Sequence, residues 1–289
     1  MTRRDIITAV PVAFAADGAL DLVGSRAILE YVAASGNEGG FVLGTTGEFP
    51  ALSEDERFAL TELSGEVLGP AMRVIAHVGA ASAYQARRLA GRARSAGLGE
   101  IAVLTPYYLP SSDAGLLAYF TEVAEAAEGL DIYVYVFADR TGNPVSDELM
   151  ARLSQIPGVV GAKISGESLA RVASYRRVVP EGFQLYTGAD RDLARAADHG
   201  AQGVVSGISS VLPKPFRELA AAADDTDAGR LERAQQAVDD VVDVIAGDMA
   251  RMKAAYRLLG VTDTTTRMAI DPPNAPTMAE IARVVERYR

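Results

Sequence analysis

Short apolar runs rich in β-branched residues alternate along this chain with longer stretches whose apolar side chains recur every three or four positions. The short runs predict strands at Ile6–Val10, Gly40–Leu43, Arg73–His77, Ile101–Leu104, Ile132–Val136, Val159–Ile164, Gln184–Thr187 and Gly203–Val205. Between them, amphipathic stretches predict helices at Leu22–Ser35, Ser53–Leu68, Ser82–Ala96, Gly115–Ala127, Asp147–Gln155, Ser168–Val178 and Ala189–His199. Ser53 with Glu56 three residues on has the form of a capping box. After Val211 the pattern is helical to the end, with one or two helices in Asp227–Leu259 and another at Met278–Tyr288.

Eight strands alternating with helices imply a parallel sheet, and strands apolar on both faces imply that helices cover it. An open doubly wound sheet and a closed barrel both satisfy this. Eight units within about 210 residues favour the α/β class (β/α)8 TIM barrel with a C-terminal helical extension. The expected division is residues 1–212 for the barrel and 213–289 for the extension packed on it, as a single domain, since no linker or charge block interrupts the chain.

Charge and composition then remove whole classes of function. Asp and Glu number 38 against 28 Lys and Arg, a formal charge of −10, which argues against a nucleic-acid partner. The absence of cysteine excludes thiolate nucleophiles, disulfides and cysteine-based metal sites, and fits a cytoplasmic protein. No apolar run approaches the roughly 18–20 residues that span a bilayer, so no membrane partner is expected. Thr2-Arg3-Arg4-Asp5-Ile6-Ile7 has the look of a twin-arginine export signal, but Pro11 breaks the apolar run and Ile6–Val10 reads better as a buried first strand.

A parallel barrel gathers its chemistry at the carboxyl ends of the strands. The second strand runs into Gly44-Thr45-Thr46-Gly47-Glu48 and the fourth into Thr105-Pro106-Tyr107-Tyr108. The fifth carries Tyr135 and is followed by Arg140-Thr141-Gly142; the sixth carries Lys163; the seventh and eighth end at Gly188 and at Ser206-Gly207. Lys163 in an apolar strand is either a lysine snorkelling to water or a desolvated amine able to attack a carbonyl. A phenol such as Tyr135 beside such an amine can move protons. Gly44–Gly47 is either a plain tight turn or a cradle whose amides and hydroxyls meet a carboxylate. Gly97-Leu98-Gly99-Glu100-Ile101-Ala102 precedes a strand and so is no dinucleotide loop, and no phosphate-binding loop occurs. His77 and His199 lack metal-ligand spacing, so no metal is expected. Gly207-Ile208-Ser209-Ser210 lies where many barrels hold a phosphate, or merely lines the rim. The Met and Tyr residues of Met249–Tyr256 recur at helical spacing and read as core.

Together, Gly44-Thr45-Thr46-Gly47-Glu48, Thr105-Pro106-Tyr107-Tyr108, Tyr135 with Arg140-Thr141-Gly142, and Gly161-Ala162-Lys163 resemble the dihydrodipicolinate synthase/N-acetylneuraminate lyase family, from about Ile6 to Leu259. The resemblance implies a Schiff-base (class I) aldolase or synthase that joins pyruvate or a related 2-oxo acid to an aldehyde, or splits such an adduct, with no cofactor beyond the covalent imine. It implies a homotetramer built from tight dimers, or a homodimer. It assigns Lys163 as the imine-forming lysine, Tyr135 as the proton relay, Thr45 and Thr46 with Gly47 as phenol-orienting and carboxylate-binding groups, and Tyr108 as a residue that reaches into a neighbouring subunit. Arg140 resembles the arginine that takes the aldehyde partner's carboxylate, and the Val205 carbonyl the one that faces bound pyruvate; Gly188 belongs to the same substrate rim. Tyr135-Val136-Phe137-Ala138-Asp139 departs from the synthase branch, and Ile164-Ser165-Gly166-Glu167 and Glu48-Phe49-Pro50 depart from it toward 2-keto-3-deoxy sugar-acid aldolases or dehydratases. A barrel that binds a 2-oxo acid without turning it over is a third alternative. The positions resembling the synthase branch's lysine-binding site are Ala81, Tyr84, Gln85, Glu54 and Arg57, which lack most of the needed groups, so lysine inhibition is not expected.

Overall fold

A computed structural model describes residues 4–225 and 227–289. Thr2 and Arg3 of the twin-arginine-like segment lie outside the described residues. The chain from Asp5 is the first strand of a closed parallel barrel in which each strand pairs with the next and β8 returns to β1. The strands are β1 (Asp5–Ala9), β2 (Gly39–Val42), β3 (Arg73–His77), β4 (Glu100–Leu104), β5 (Asp131–Val136), β6 (Val159–Ile164), β7 (Gln184–Thr187) and β8 (Gly203–Ser206). The helices are α1 (Leu22–Ala33), α2 (Glu54–Leu68), α3 (Ala83–Ser95), α4 (Asp113–Ala126), α5 (Ala138–Thr141), α6 (Asp147–Leu153), α7 (Leu169–Val178), α8 (Pro213–Ala222), α9 (Ala228–Ile245), α10 (Met249–Leu258) and α11 (Ala275–Tyr288). The sequence places β1, β2, β4, β5 and β8 within a residue of these bounds and β3, β6 and β7 on them.

Strand side chains alternate between two cores, as the pleat requires. Ile6, Val74, Ile101, Val134, Ala162, Leu185 and Val204 face outward and pack beneath the helices. Ile7, Phe41, Ile75, Ala102, Tyr133, Tyr135, Tyr186 and Val205 fill the barrel. The expected capping box at the start of α2 is formed: Ser53 N donates to Glu56 Oε2 at 2.8 Å, and Glu56 N donates back to Ser53 Oγ at 3.2 Å.

The amino-terminal mouth of the barrel is closed by a polar plug. Arg73 donates from Nε to Glu100 Oε1 at 3.0 Å, from Nη1 to the Tyr186 hydroxyl at 3.1 Å and from Nη2 to the Tyr133 hydroxyl at 2.9 Å. The Tyr186 hydroxyl in turn donates to Asp5 Oδ2 at 2.9 Å.

The stretch Ala189–His199, expected as a helix, is instead two 3₁₀ turns, Asp190–Asp192 and Ala196–His199. Adjacent side chains are drawn in opposite directions there. Asp190 faces the Ser206 hydroxyl at the end of β8, while Arg191 reaches out to Asp239 and Asp243 on α9. Asp227–Leu259 holds two helices, parted where Ala246 and Gly247 take left-handed conformations and Asp248 caps α10. Of the Met and Tyr side chains of α10, Met252 and Tyr256 are core and Met249 is only partly buried; the Tyr256 hydroxyl donates to the Ser210 carbonyl at 2.8 Å.

Candidate active site

Lys163 stands one residue before the end of β6, in register with Tyr135 on β5 and Tyr186 on β7. The alternation that sends Ala162 and Ile164 outward sends Gly161 and Lys163 into the barrel. Gly161 is required by close packing, since a Cβ there would lie 2.6 Å from the Tyr133 ring and 2.5 Å from the Gln184 carbonyl oxygen. The lysine is 6% exposed, and its Nζ lies 4.1 Å from the centre of the Tyr135 ring and 4.2 Å from that of Phe41. Among the described residues no carboxylate forms an ion pair with it. The amine is thus held by ring faces instead of being quenched by a counter-ion, and it stays open to an electrophile.

The phenol beside it is tied to the loop after β2. The Tyr135 hydroxyl is 3.2 Å from Thr45 Oγ1. That loop is a compact turn: Gly47 N donates to the Gly44 carbonyl at 3.0 Å and Glu48 N to the Thr45 carbonyl at 2.9 Å. A Cβ at Gly44 would lie 2.6 Å from the Phe41 ring, so only glycine lets the turn sit this low on the barrel mouth. Thr46 borders the loop after β8, where a Cβ on Gly207 would meet its Oγ1 at 3.1 Å. Val205, buried on β8, shares the interior cluster with Phe41 and Tyr135. Gly188 packs closely on Ser165, whose Oγ would be 2.4 Å from an added Cβ.

Lys163, Tyr135, Thr45, Thr46, Gly47, Val205 and Gly188 therefore belong to one rim. Arg140 and Tyr108 stand apart from it within a single chain. Arg140 is exposed on α5, its guanidinium 5.7 Å from the centre of the Phe137 ring, and that ring lies 6.3 Å from Tyr135. Among the described residues Asp139 forms no ion pair with it. Tyr108 is 91% exposed with a left-handed backbone, φ 84°, and projects from the loop after β4.

Two groups at this mouth carry no signal of their own in the sequence. Asp190 is partly exposed as a residue, but its carboxyl end turns inward, where Oδ1 is shut off from solvent without a hydrogen-bond partner. Burial raises its pKa to about 6 despite the opposing pull of the Ser206 hydroxyl and of Lys163. Its position three residues past the end of β7, where loops gather, was the available clue. The second group is His77 at the end of β3. Its ring packs on Phe49, Phe41 and Tyr135, and Nδ1 lies 2.9 Å from the Leu43 carbonyl. Burial, aided by the nearby Arg57 charge, lowers its pKa well below the usual value, so the imidazole is neutral and donates through Nδ1–H. Arg57 is itself buried, donating to the His77 carbonyl at 2.8 Å and that of Gly79 at 3.2 Å, and desolvation lowers its pKa to about 10.

A closed parallel barrel with an unpaired lysine amine, a phenol and a threonine hydroxyl at its carboxyl mouth defines a (β/α)8 protein equipped for carbonyl chemistry. The family follows from the whole chain. The Dihydrodipicolinate synthetase family model matches residues 2–287, and the chain belongs to that family. It is 31% identical to the 4-hydroxy-tetrahydrodipicolinate synthase of Thiobacillus denitrificans, over 99% of this chain and 97% of that one. A prophage protein of the dihydrodipicolinic acid synthase family from E. coli, solved in complex with pyruvate, superposes with a TM-score of 0.89 at 26% identity, over 99% of this chain and 98% of that one. A monomeric dihydrodipicolinate synthase variant superposes with a TM-score of 0.90 at 26% identity, over 99% and 97%.

Proposed function

We propose that this protein is a Schiff-base aldolase or synthase that joins pyruvate, or a closely related 2-oxo acid, to an aldehyde or runs the reverse cleavage. The observation that carries this reading is the Lys163 amine on the face of Tyr135, whose hydroxyl reaches Thr45. The Lys163 nitrogen adds to the ketone carbon; the carbinolamine then loses water and leaves an imine. A proton leaves the methyl carbon of the imine, and the resulting enamine forms the new bond to the aldehyde carbon. The aldehyde oxygen takes up a proton, and water releases the amine. Tyr135, steered by Thr45, hands over the protons at the carbinolamine and at the aldehyde oxygen. Thr45, Thr46 and the amides through Gly47 hold the 2-oxo acid carboxylate. The Val205 carbonyl and Gly188 shape the far wall. This chemistry needs no cofactor.

For the aldehyde, two readings stand on different residues. Arg140 favours a partner with its own carboxylate, as in the synthases. Asp190, whose carboxyl lies close enough to Lys163 to feel its charge, favours a hydroxylated, sugar-acid-like partner, since a carboxylate at this mouth accepts from hydroxyls and repels a second carboxylate. Tyr108 at 91% exposure, Leu109 at 68% and Tyr84 at 69% support a dimer, or a tetramer of two dimers, in which a second copy covers this face. No helix among the described residues is long and apolar enough to cross a membrane, and with the absence of cysteine this supports a cytoplasmic placement.

Borohydride reduction in the presence of pyruvate tests the chemistry. One peptide, containing Lys163, gains the reduced pyruvyl mass, and Lys163→Ala abolishes both adduct and turnover; trapping at another lysine refutes the reading. A screen of aldehydes by product mass then separates the two partners. Arg140→Ala lowers kcat/KM about 10–10³-fold for a carboxylated aldehyde and has little effect on a neutral one.

A further inference from the structure

The loop that carries Thr45 and Thr46 ends on Glu48, which combines a left-handed backbone, φ 54°, with a fully buried side chain. A non-glycine residue in that conformation and a carboxylate out of water are each costly, so the surroundings must hold both. Those surroundings come from the C-terminal end of the chain. Lys253 on α10, 1% exposed, donates to Glu48 Oε1 and to the Thr265 carbonyl at 2.7 Å. Glu48 Oε2 accepts from the backbone N–H groups of Arg267 at 2.9 Å and Met268 at 2.7 Å. The Arg267 guanidinium continues the grip, donating to the Gly18 carbonyl at 2.8 Å, the Ala51 carbonyl at 2.9 Å and both oxygens of Glu56. Lys253 and Arg267 also share the face of Phe14, at 4.4 and 4.3 Å from its centre. Burial lowers the pKa of Lys253 while Glu48 pulls it back up. Beside Lys253, Met252 approaches Gly207 near Thr46: a Cβ on Gly207 would lie 3.0 Å from the methionine methyl.

We propose that Glu48 and Lys253 are positioning residues for the 2-oxo acid: their buried pair fixes the Thr45–Thr46 turn against α10, so the C-terminal helices set the affinity for a carboxylate they never touch. The inference rests on the imine reading of Lys163. Its physical basis is leverage. Glu48 directly follows the turn, and its two oxygens are bonded to two separate parts of the C-terminal segment, so a shift of that segment moves the hydroxyls that meet the substrate. Apolar replacement of a buried ion pair is often neutral in stability, so positioning can be read apart from folding.

The double variant Glu48→Gln with Lys253→Met removes both charges together, and the amide oxygen still accepts from Arg267 and Met268. Three readouts are taken: the thermal melt, the pyruvate concentration that half-saturates borohydride trapping, and the KM of the aldehyde at saturating pyruvate. The expected result is a cooperative melt, pyruvate half-saturation raised about 5- to 50-fold, and an aldehyde KM within about twofold of the natural protein. A cooperatively melting variant with unchanged pyruvate half-saturation overturns the proposal, as does an equal rise for both substrates. Should the double variant not fold, Lys253→Gln alone, whose side-chain amide still donates to Glu48 while the Arg267 and Met268 N–H groups keep hold of its other oxygen, carries the same outcomes. Failure of the natural protein to trap pyruvate at Lys163 overturns the imine reading, and this one with it. Normal trapping by natural protein and variant alike overturns only the positioning role.

Discussion

The two mouths of the barrel are lined by similar residue types and treat them in opposite ways. At the amino-terminal mouth Arg73, Glu100, Tyr133, Tyr186 and Asp5 form one network in which the cation meets a carboxylate and both phenols, and each of these side chains has a partner. At the carboxyl mouth Lys163 rests on ring faces, and Asp190 Oδ1 and His77 Nε2 are buried without partners. An unsatisfied buried polar atom costs about 1–3 kcal/mol, so the second arrangement is maintained against stability. The first network spends its hydrogen-bonding capacity on closing the barrel; the second leaves the Lys163 amine without a counter-ion and free to react.

This contrast predicts that mutations at the two mouths separate activity from stability. Tyr135→Phe, which keeps the ring under Lys163 and removes only the hydroxyl, lowers kcat about 10²–10⁴-fold with little change in melting. Steady-state kinetics beside a thermal melt checks this, and an equal loss of stability would erase the distinction. At the other mouth, Arg73→Met removes the guanidinium that bonds Glu100, Tyr133 and Tyr186 and destabilises the fold by about 2–4 kcal/mol. Denaturant titration measures that loss, and the folded fraction keeps its trapping by pyruvate.

The smallest effect sharpens the comparison through pH. The Asp190 carboxyl holds its proton up to about pH 6 in the fold, against about 3.9 in the unfolded chain. The folded state therefore binds more protons across that window, and this carboxyl's contribution to stability falls as pH rises from about 4 to about 6, by up to about 3 kcal/mol. Asp190→Asn removes the titration. The variant's unfolding free energy minus that of the natural protein should rise across the window, and a flat difference would place the carboxyl in water.

Much of the site was legible because its signals are local. Lys163 is conspicuous as a cation in an apolar strand, Gly44–Gly47 as a turn, and Ser53 with Glu56 as a cap, and each of these depends on neighbours a few residues away. The strand pattern likewise follows from the two-residue alternation that any covered parallel sheet imposes. Asp190 was hidden because its neighbourhood reads as amphipathic helix, and only the opposed demands of Ser206 and α9 break that helix into two turns.

The sequence by itself determined the order and type of the strands, the number of barrel units and the reactive side chains at the strand ends, all set by periodicity and local chemistry. Tertiary structure alone decided which of those side chains have partners. Lys253 meets Glu48 across 205 residues of chain, and Arg73 meets Tyr186 across 113. Such pairs leave no local trace, because a buried charge is selected by what the closed barrel brings against it, and closure is a property of all eight strands together.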